Sequence, residues 1–313
     1  MIPYPPAEMV SGSGVYDERP YAGSADLPAL IRFASDATRL RLPHDATWHP
    51  GDFVWELKGA YDAPHNMRLW RSGAEVVAVA WLISPGELWL EALPGHEPLV
   101  PEMVAWAEAA SGACPARVRA GGDPRRVAAL EAMGYQRAGP QGVHFRLDLR
   151  RALLDALPPQ GAVAIDCVDI DAEARAACHR AAWDDLAHIG LPHARSTFTA
   201  ELYRALRAAP TYDPRLDILV RDASGELVAN CICWVDAGSG IGTFEPVGTR
   251  AAFRGRGFAR AAVVEGLRRL QSRGMTFARV GTAHFNAPAI ATYRSCGFTI
   301  IDRTDWWARP AAA

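Results

Sequence analysis

Lysine, clustered cysteine and long apolar runs are all scarce in this sequence. Lys58 is the only lysine among 33 Lys and Arg residues, and the formal net charge is −2, so the charge balance does not favour nucleic acid or an anionic membrane. The six cysteines form neither a CxxC pair nor a Cys/His cluster, and the usual zinc patterns are therefore missing. No apolar run reaches ~18 residues, and the N-terminus has no signal pattern. We expect a cytoplasmic protein without metal, nucleic-acid or membrane partners.

The size and composition of the chain point to more than one domain. It has 313 residues, of which half are hydrophobic and 22% are charged. A chain of that length exceeds one typical core and suits two domains. We expect a monomer or a homodimer.

A glycine- and arginine-rich loop stands between a strand and a helix in the segment Val247–Arg260. Glycine lets a backbone approach a ligand closely, and the first amides of a helix have no intrahelical acceptor. Together with the helix dipole and nearby arginines, these amides suit a phosphate group. The segment is therefore either a site for a phosphate-bearing cofactor or a solvated basic turn.

A second informative segment follows a short apolar run at 276–282. Asn286 is a good helix N-cap, and Pro288 is tolerated in the first helical turn. Tyr293 lies one helical turn after Ala289 and shares its face. Gly297 suits the left-handed conformation that ends a helix.

Both segments resemble signatures of the GNAT superfamily of N-acetyltransferases. Arg254, Gly257 and Ala259 match its pyrophosphate-loop pattern, Arg/Gln-x-x-Gly-x-Gly/Ala. Asn286 and Tyr293 match a second pattern, Asn-x-x-Ala-x-x-x-Tyr, which Gly-Phe then follows. Two motifs in this order and at this distance make the resemblance much more specific than either one.

The resemblance implies an α+β fold with a mixed α/β sheet, mostly antiparallel and flanked by helices. Two parallel neighbouring strands of that sheet splay apart and admit the pantetheine arm of the cofactor. In this chain those strands would be Gly242–Gly248 and Thr276–Thr282.

The fold is expected twice, because Asp123–Tyr135 repeats the spacing of Asn286–Phe298. We expect a loose tail (1–20), a degenerate GNAT-like domain (21–150), a linker (151–161) and a catalytic GNAT domain (162–313). The first copy has no arginines in the matching loop, Leu93–Pro101, which instead contains three prolines. Proline cannot donate a backbone hydrogen bond to a phosphate.

The resemblance also implies roles for individual residues. Glu245 would be the general base that deprotonates the acceptor amine, directly or through a water; it could equally be a strand carboxylate paired with arginine. Tyr293 would protonate the departing thiolate, and its alternative is an aromatic packed on the motif helix. The amide of Val247 would polarise the thioester carbonyl. The cofactor, acetyl-CoA, would be bound by Val247, Gly248, Thr249, Arg254, Gly255, Arg256, Gly257, Phe258, Ala259, Arg260 and Asn286.

The acceptor site is predicted in the loop between the first two helices of the second copy. Trp183, His188 and His193 are the candidates there, because tryptophan can bind a cationic amine through its ring face. Each of them could equally lie on a helix surface or in the core.

The predicted activity is transfer of an acetyl group from acetyl-CoA to the primary amine of a small molecule, by direct attack in a ternary complex. Acetylation of a peptide or protein amine is an alternative within the class. A non-catalytic acyl-CoA sensor or scaffold is the alternative outside it.

Overall fold

The computed structural model describes residues 16–42, 48–62, 65–84, 86–111, 117–121, 123–151 and 158–310. Contacts between Cα atoms divide the chain into two compact units, neither of which is continuous in sequence. The first unit contains Met1–Trp48, Asp62–Gly142 and Asp302–Ala313, and the second contains His49–Tyr61 and Val143–Ile301.

The first unit is a mixed sheet with helices, in the order β1-β2-β3-β4-β5-β12. Only the β4–β5 pair is parallel among these strands. The elements up to the end of its last helix are β1 (Asp17–Pro20), α1 (Leu27–Arg41), β2 (Met67–Ser72), β3 (Glu75–Ser84), β4 (Glu87–Ala92), α3 (Val100–Ser111), β5 (Arg117–Gly121) and α4 (Pro124–Ala132).

The second unit repeats this plan, with strand order β7-β8-β9-β10-β11-β6. Its parallel pair is β10–β11, and the β7–β8, β8–β9 and β9–β10 pairs are antiparallel. Its elements are α2 (Pro50–Glu56), β7 (Val163–Asp166), α5 (Ala172–Trp183), α6 (Ala200–Arg207), β8 (Asp217–Arg221), β9 (Leu227–Asp236), β10 (Ile241–Thr249), α7 (Phe258–Ser272), β11 (Phe277–Ala283) and α8 (Ala287–Ser295).

Two strands contribute residues to both units. β6 (Gln136–Asp148) begins in the first unit and ends in the second, and β12 (Thr299–Ala308) begins in the second and ends in the first. Each unit is thus completed by a strand from the other half of the sequence.

The core of the second unit lies between the sheet and α7. Val263, Val264 and Leu267 of α7 are buried and belong to one apolar cluster with Cys231 and Phe244. Their helical spacing is the pattern expected of a helix with one apolar face.

The two predicted repeat segments have matching local structure. Asp123 and Asn286 are N-caps of the nine-residue helices α4 and α8. After each helix a glycine with positive φ ends the helical conformation, +81° at Gly134 and +93° at Gly297. The following amide then donates to the carbonyl of the helix residue five positions earlier, over 3.0 Å in α4 and 3.2 Å in α8. The aligned sequence spacing therefore corresponds to equivalent backbone geometry.

Two features differ from the sequence-based domain layout. Residues 17–20 form β1 and pair with β2 instead of belonging to a loose tail. The second unit consists of His49–Tyr61 and Val143–Ile301 instead of residues 162–313, and Asp302–Ala313 belongs to the first unit. Residues 1–15 of the predicted tail and 152–157 of the predicted linker lie outside the described residues.

Candidate active site

The parallel strands β10 and β11 pair only over their first residues. Their register runs from Ile241 opposite Phe277 to Thr243 opposite Arg279, whereas β10 continues to Thr249. The ladder with β9 also shifts between Phe244 and Val247. Pro246, inside this irregularity, has no amide hydrogen to donate to β9. The pairing of β10 with β11 ends at Thr243, which is where the strands were expected to splay apart.

The amide of Val247 faces away from β9. Arg250 donates its backbone N–H to the carbonyl of Val228 on β9, over 2.9 Å. Residues opposite each other in an antiparallel ladder alternate between bonded and non-bonded pairs. The amides of Gly248 and Arg250 therefore point towards β9, and those of Val247 and Thr249 point to the side on which β10 and β11 separate.

A cavity of about 600 Å³ lies beside this part of β10. It is lined by residues of β10, the loop before α7, the first turn of α7, the end of α5, the loop after α5, and α8. Most of the predicted site residues line it: Trp183, His188, Val247, Gly248, Thr249, Arg254, Gly255, Gly257, Phe258, Ala259, Arg260, Asn286 and Tyr293. Glu245, Arg256 and His193 are not among the lining residues.

The N-terminus of α7 opens towards this cavity. Gly257 is its N-cap in the left-handed conformation, with φ of +88°, and no side chain caps the helix. The first amides of an uncapped helix need an acceptor and attract negative charge. The first turn of α7, starting at Phe258, can therefore take a phosphate, as the sequence predicts.

Arg254 uses its guanidinium to fasten the loop to the end of α5. Nε donates to the carbonyl of Thr249 over 3.2 Å, and Nη2 to that of Ala182 over 3.0 Å. Nη1 lies 3.1 Å from Nδ1 of His188. Partial burial lowers the pKa of Arg254, and its predicted contact with the cofactor would have to share these bonds.

Arg256 and Arg260 make different contacts. Arg256 is exposed and stands over the rings of Phe253 and Phe258, 5.2 and 5.3 Å from their centroids. Nε of Arg260 donates to the carbonyl of Ser295 over 3.3 Å. Arg260 is the one of the two that lines the cavity.

Tyr293 is buried with its ring at the cavity wall. It is 5% exposed and makes edge contacts with Phe145 and Phe298. Burial raises the pKa of Tyr293 well above its usual value, and the nearby Glu245 carboxylate raises it further. The phenol is therefore protonated at neutral pH and can donate a proton.

Glu245 lies at the irregular point of β10. Its carbonyl accepts a hydrogen bond from Nε1 of Trp234 over 2.6 Å, which holds the backbone there. Its side chain is half-buried, and its negative charge contributes to the raised pKa of Tyr293. A general base could act from this position, although its carboxylate is outside the cavity lining.

Asn286 and Thr249 differ in how their polar groups are satisfied. Oδ1 of Asn286 accepts from the amide of Ala289 over 3.3 Å, and Nδ2 donates to Thr282 over 3.1 Å. The hydroxyl of Thr249 is buried and has no hydrogen-bond partner among the described residues. A buried hydroxyl without a partner is costly, so Thr249 has the capacity to bond a ligand beside β10.

The acceptor candidates fall into two groups. Trp183 and His188 line the cavity, whereas His193 is exposed and does not. Sequence reasoning missed His179, which stacks on Trp183 with ring centroids 4.1 Å apart. The four-residue spacing of His179 and Trp183 on a helix was the available signal, since such residues share a face.

The first unit fills the equivalent position with buried ion pairs. Counting from the parallel pairs, Glu87 opposite Arg117 corresponds to Ile241 opposite Phe277. Glu91 is therefore the counterpart of Glu245, four residues further along each strand.

Two arginines hold Glu91. Arg41 and Arg126 lie 2.9 and 2.8 Å from its Oε1, and all three side chains are at most 3% exposed. Arg41 and Arg126 also pair with Asp123, the counterpart of Asn286. The strand end that carries the candidate base in the second unit is thus a closed charge network in the first.

The described residues contain neither a metal-binding cluster nor a membrane-spanning helix. No group of three or more His, Cys, Asp or Glu side chains there is arranged to hold a metal ion. None of the helices in that part of the chain is both long and apolar enough to cross a membrane.

Comparison with known proteins places the motif region in a family. The family model "Acetyltransferase (GNAT) family" matches residues 181–298. A curated mycothiol acetyltransferase of Segniliparus rotundus is 30% identical over 109 residues, which are 33% of this chain. The match covers only 40% of that relative's length.

Solved structures share the fold over nearly the whole chain. A GCN5-related N-acetyltransferase from Sphaerobacter thermophilus is 21% identical, with a TM-score of 0.55, over 95% of this chain and 97% of its own. A tandem GNAT protein from the clavulanic acid biosynthesis pathway is 18% identical, with a TM-score of 0.59, over 95% and 100%. Residues 16–310, so far as they are described, thus have the fold of two tandem GNAT domains, and residues 181–298 match the GNAT acetyltransferase family model.

Proposed function

We propose that this chain transfers an acetyl group from acetyl-CoA to the primary amine of a small molecule, by direct attack within a ternary complex. The second unit carries the reaction, and the first is a degenerate copy. The observation that carries the proposal is the cavity that joins the uncapped N-terminus of α7 to the separated strands β10 and β11, with Tyr293 at its wall.

The reaction forms a C–N bond and breaks the C–S bond of the thioester. The amine must lose a proton to attack, and Glu245 accepts that proton directly or through a water. The amide of Val247 donates to the thioester carbonyl oxygen as charge develops on it. Tyr293 gives its proton to the departing sulfur as the C–S bond breaks; burial raises the pKa of the phenol, so it carries that proton at neutral pH.

Binding of acetyl-CoA divides between two ends of the cavity. The amides at Phe258, Ala259 and Arg260 receive the pyrophosphate, with Gly255 and Gly257 giving the loop its shape. The hydroxyl of Thr249 and the outward amides of β10 receive the pantetheine arm.

The acceptor amine enters beside the loop after α5, where Trp183 and His188 are the proposed contacts. Since His193 does not line the cavity, it could contact only an acceptor that extends outside it. The cytoplasmic location and the monomeric or dimeric state remain predictions from the sequence.

The first test is a calorimetric titration of the full chain with acetyl-CoA. We expect one site per chain, lost in Gly257→Val, because valine is strained at φ of +88° and would shift the first amides of α7, which are proposed to bind the pyrophosphate. Gly225→Val is the matched control, with φ of +89° and open space around it in the β8–β9 turn. Two sites would contradict a degenerate first unit, and no binding would contradict the acetyltransferase proposal.

Tyr293→Phe separates an enzyme from an acyl-CoA sensor. The substitution keeps the ring contacts with Phe145 and Phe298 and removes the proton donor. We expect unchanged acetyl-CoA affinity and a ~10²–10⁴-fold loss of amine-dependent CoA release. Wild-type protein that binds acetyl-CoA but releases no CoA with any amine in a broad screen, including peptides, would favour the sensor.

A further inference from the structure

We propose that Trp183 limits the length of the acyl chain that this enzyme accepts, an inference that rests on the proposed acyl-CoA site. Trp183 is the last residue of α5 and lines the same cavity as Val247 and Tyr293. Those two residues are the proposed partners of the thioester carbonyl and sulfur. A large ring at this end of the cavity borders the space that the acyl chain must use.

The indole lies directly on the backbone of β10. A Cβ atom placed on Gly248 would stand 2.2 Å from Cζ3 of Trp183 and 2.8 Å from Cη2. Real Cβ contacts are more than 1 Å longer, so the ring occupies the volume where residue 248 would otherwise carry a side chain. Gly248 is next in sequence to Val247, and the ring is therefore adjacent to the carbonyl-binding amide.

The ring is supported from behind by an aromatic stack. His179 packs against it with an interplanar angle of 24°, and Trp55 and Phe198 contact His179 with centroids 5.3 and 5.0 Å away. Burial lowers the pKa of His179 to about 2, so the stack stays neutral and apolar. The backbone carbonyl of Ala182, the residue before Trp183, accepts a hydrogen bond from Arg254.

A wall held in this way cannot swing aside to admit a longer chain. An acetyl group ends one carbon beyond the carbonyl, whereas each added methylene must displace either the indole or its supporting rings. Closely packed interiors resist such displacement. Discrimination of ~10–200-fold per methylene is typical of an apolar pocket.

The test compares acetyl-, propionyl- and butyryl-CoA on the full chain. Calorimetry gives their affinities without any acceptor, and a thiol reagent follows CoA release with an amine from the screen. We expect wild type to favour acetyl-CoA over butyryl-CoA by at least ~10-fold, Trp183→Ala to remove most of this preference, and Trp183→Phe to admit propionyl-CoA first. Leu191→Ala, which truncates an exposed apolar side chain outside the cavity lining, should keep the wild-type preference.

Two results would overturn the proposal. An unchanged acetyl-to-butyryl ratio in both Trp183 variants, with acetyl-CoA turnover retained, would remove the role of Trp183 and leave the acetyltransferase intact. A wild-type protein that binds none of the three thioesters would contradict the proposed acyl-CoA site and, with it, the role of Trp183 in limiting acyl-chain length. Trp183→Phe keeps a ring on Gly248, so it decides the matter if the alanine variant does not fold.

Discussion

Gly248→Ala tests the contact between α5 and β10 without altering any polar group. The added methyl would lie 2.2 Å from Cζ3 of Trp183 and 2.9 Å from Cβ of Ala182. Neither neighbour can retreat easily, because the indole is stacked on His179 and Ala182 is held through its carbonyl. Overpacking of this kind costs about 1–3 kcal/mol.

The assay is thermal unfolding followed by circular dichroism. At ~2–4 °C per kcal/mol for a domain of this size, Tm should fall by several degrees. Gly281→Ala is the control: it adds the same methyl on the neighbouring strand β11, where the nearest atom is 3.5 Å away. That variant should unfold at the wild-type temperature.

A double-mutant cycle shows whether the indole causes the loss. If Gly248→Ala is destabilising because of Trp183, it should cost much less in a Trp183→Ala background, with an interaction energy of about 1 kcal/mol or more. Additive effects, or a Gly248→Ala protein as stable as wild type, would refute the packing on which the acyl-length proposal depends.

Three other predictions concern buried charge and domain composition. Glu91→Gln leaves Arg41 and Arg126 without their shared carboxylate; we expect a loss of about 3–5 kcal/mol in denaturant unfolding but unchanged acetyl-CoA affinity. His49 is buried, and its pKa is lowered to about 4. Its neutral form therefore stabilises the fold above pH ~6.5, and the free energy of unfolding should decrease by up to about 3 kcal/mol as the pH falls to 4. Urea unfolding at several pH values should show a smaller decrease for His49→Asn. A chain of residues 162–313 lacks α2 and β6 of the second unit and should show no cooperative thermal transition.

The elements around the site could be predicted closely because local signals mark them. The strand expected at Gly242–Gly248 is observed at Ile241–Thr249, and the one expected at Thr276–Thr282 at Phe277–Ala283. Gly257 and Asn286 indicate where the next two helices begin. Gly257 adopts a positive φ before α7, and the side chain of Asn286 caps α8. These are short-range effects that a sequence displays directly.

The partners of buried polar groups were not predictable in this way. His49 donates through Nε2 to the carbonyl of Ile241, 192 residues away, over 3.0 Å, and accepts from Gly51 at Nδ1. A histidine in a proline-flanked segment carries no local sign of such a bond. Likewise the motif predicts that Arg254 is near a phosphate, but its bonds to Ala182 and His188 depend on how α5 packs.

The two copies differ in the surroundings of the glutamate at the duplicated strand end. Glu91 and Glu245 occupy the same register position, yet Glu91 is neutralised by two guanidinium groups and Glu245 stands near a buried phenol. Removing a buried carboxylate that pairs with two arginines would leave both guanidinium charges without that partner, which is costly. In the first copy Glu91 is therefore a fixed charge that joins α1, β4 and α4, whereas Glu245 is the residue that we propose as the general base of the second copy.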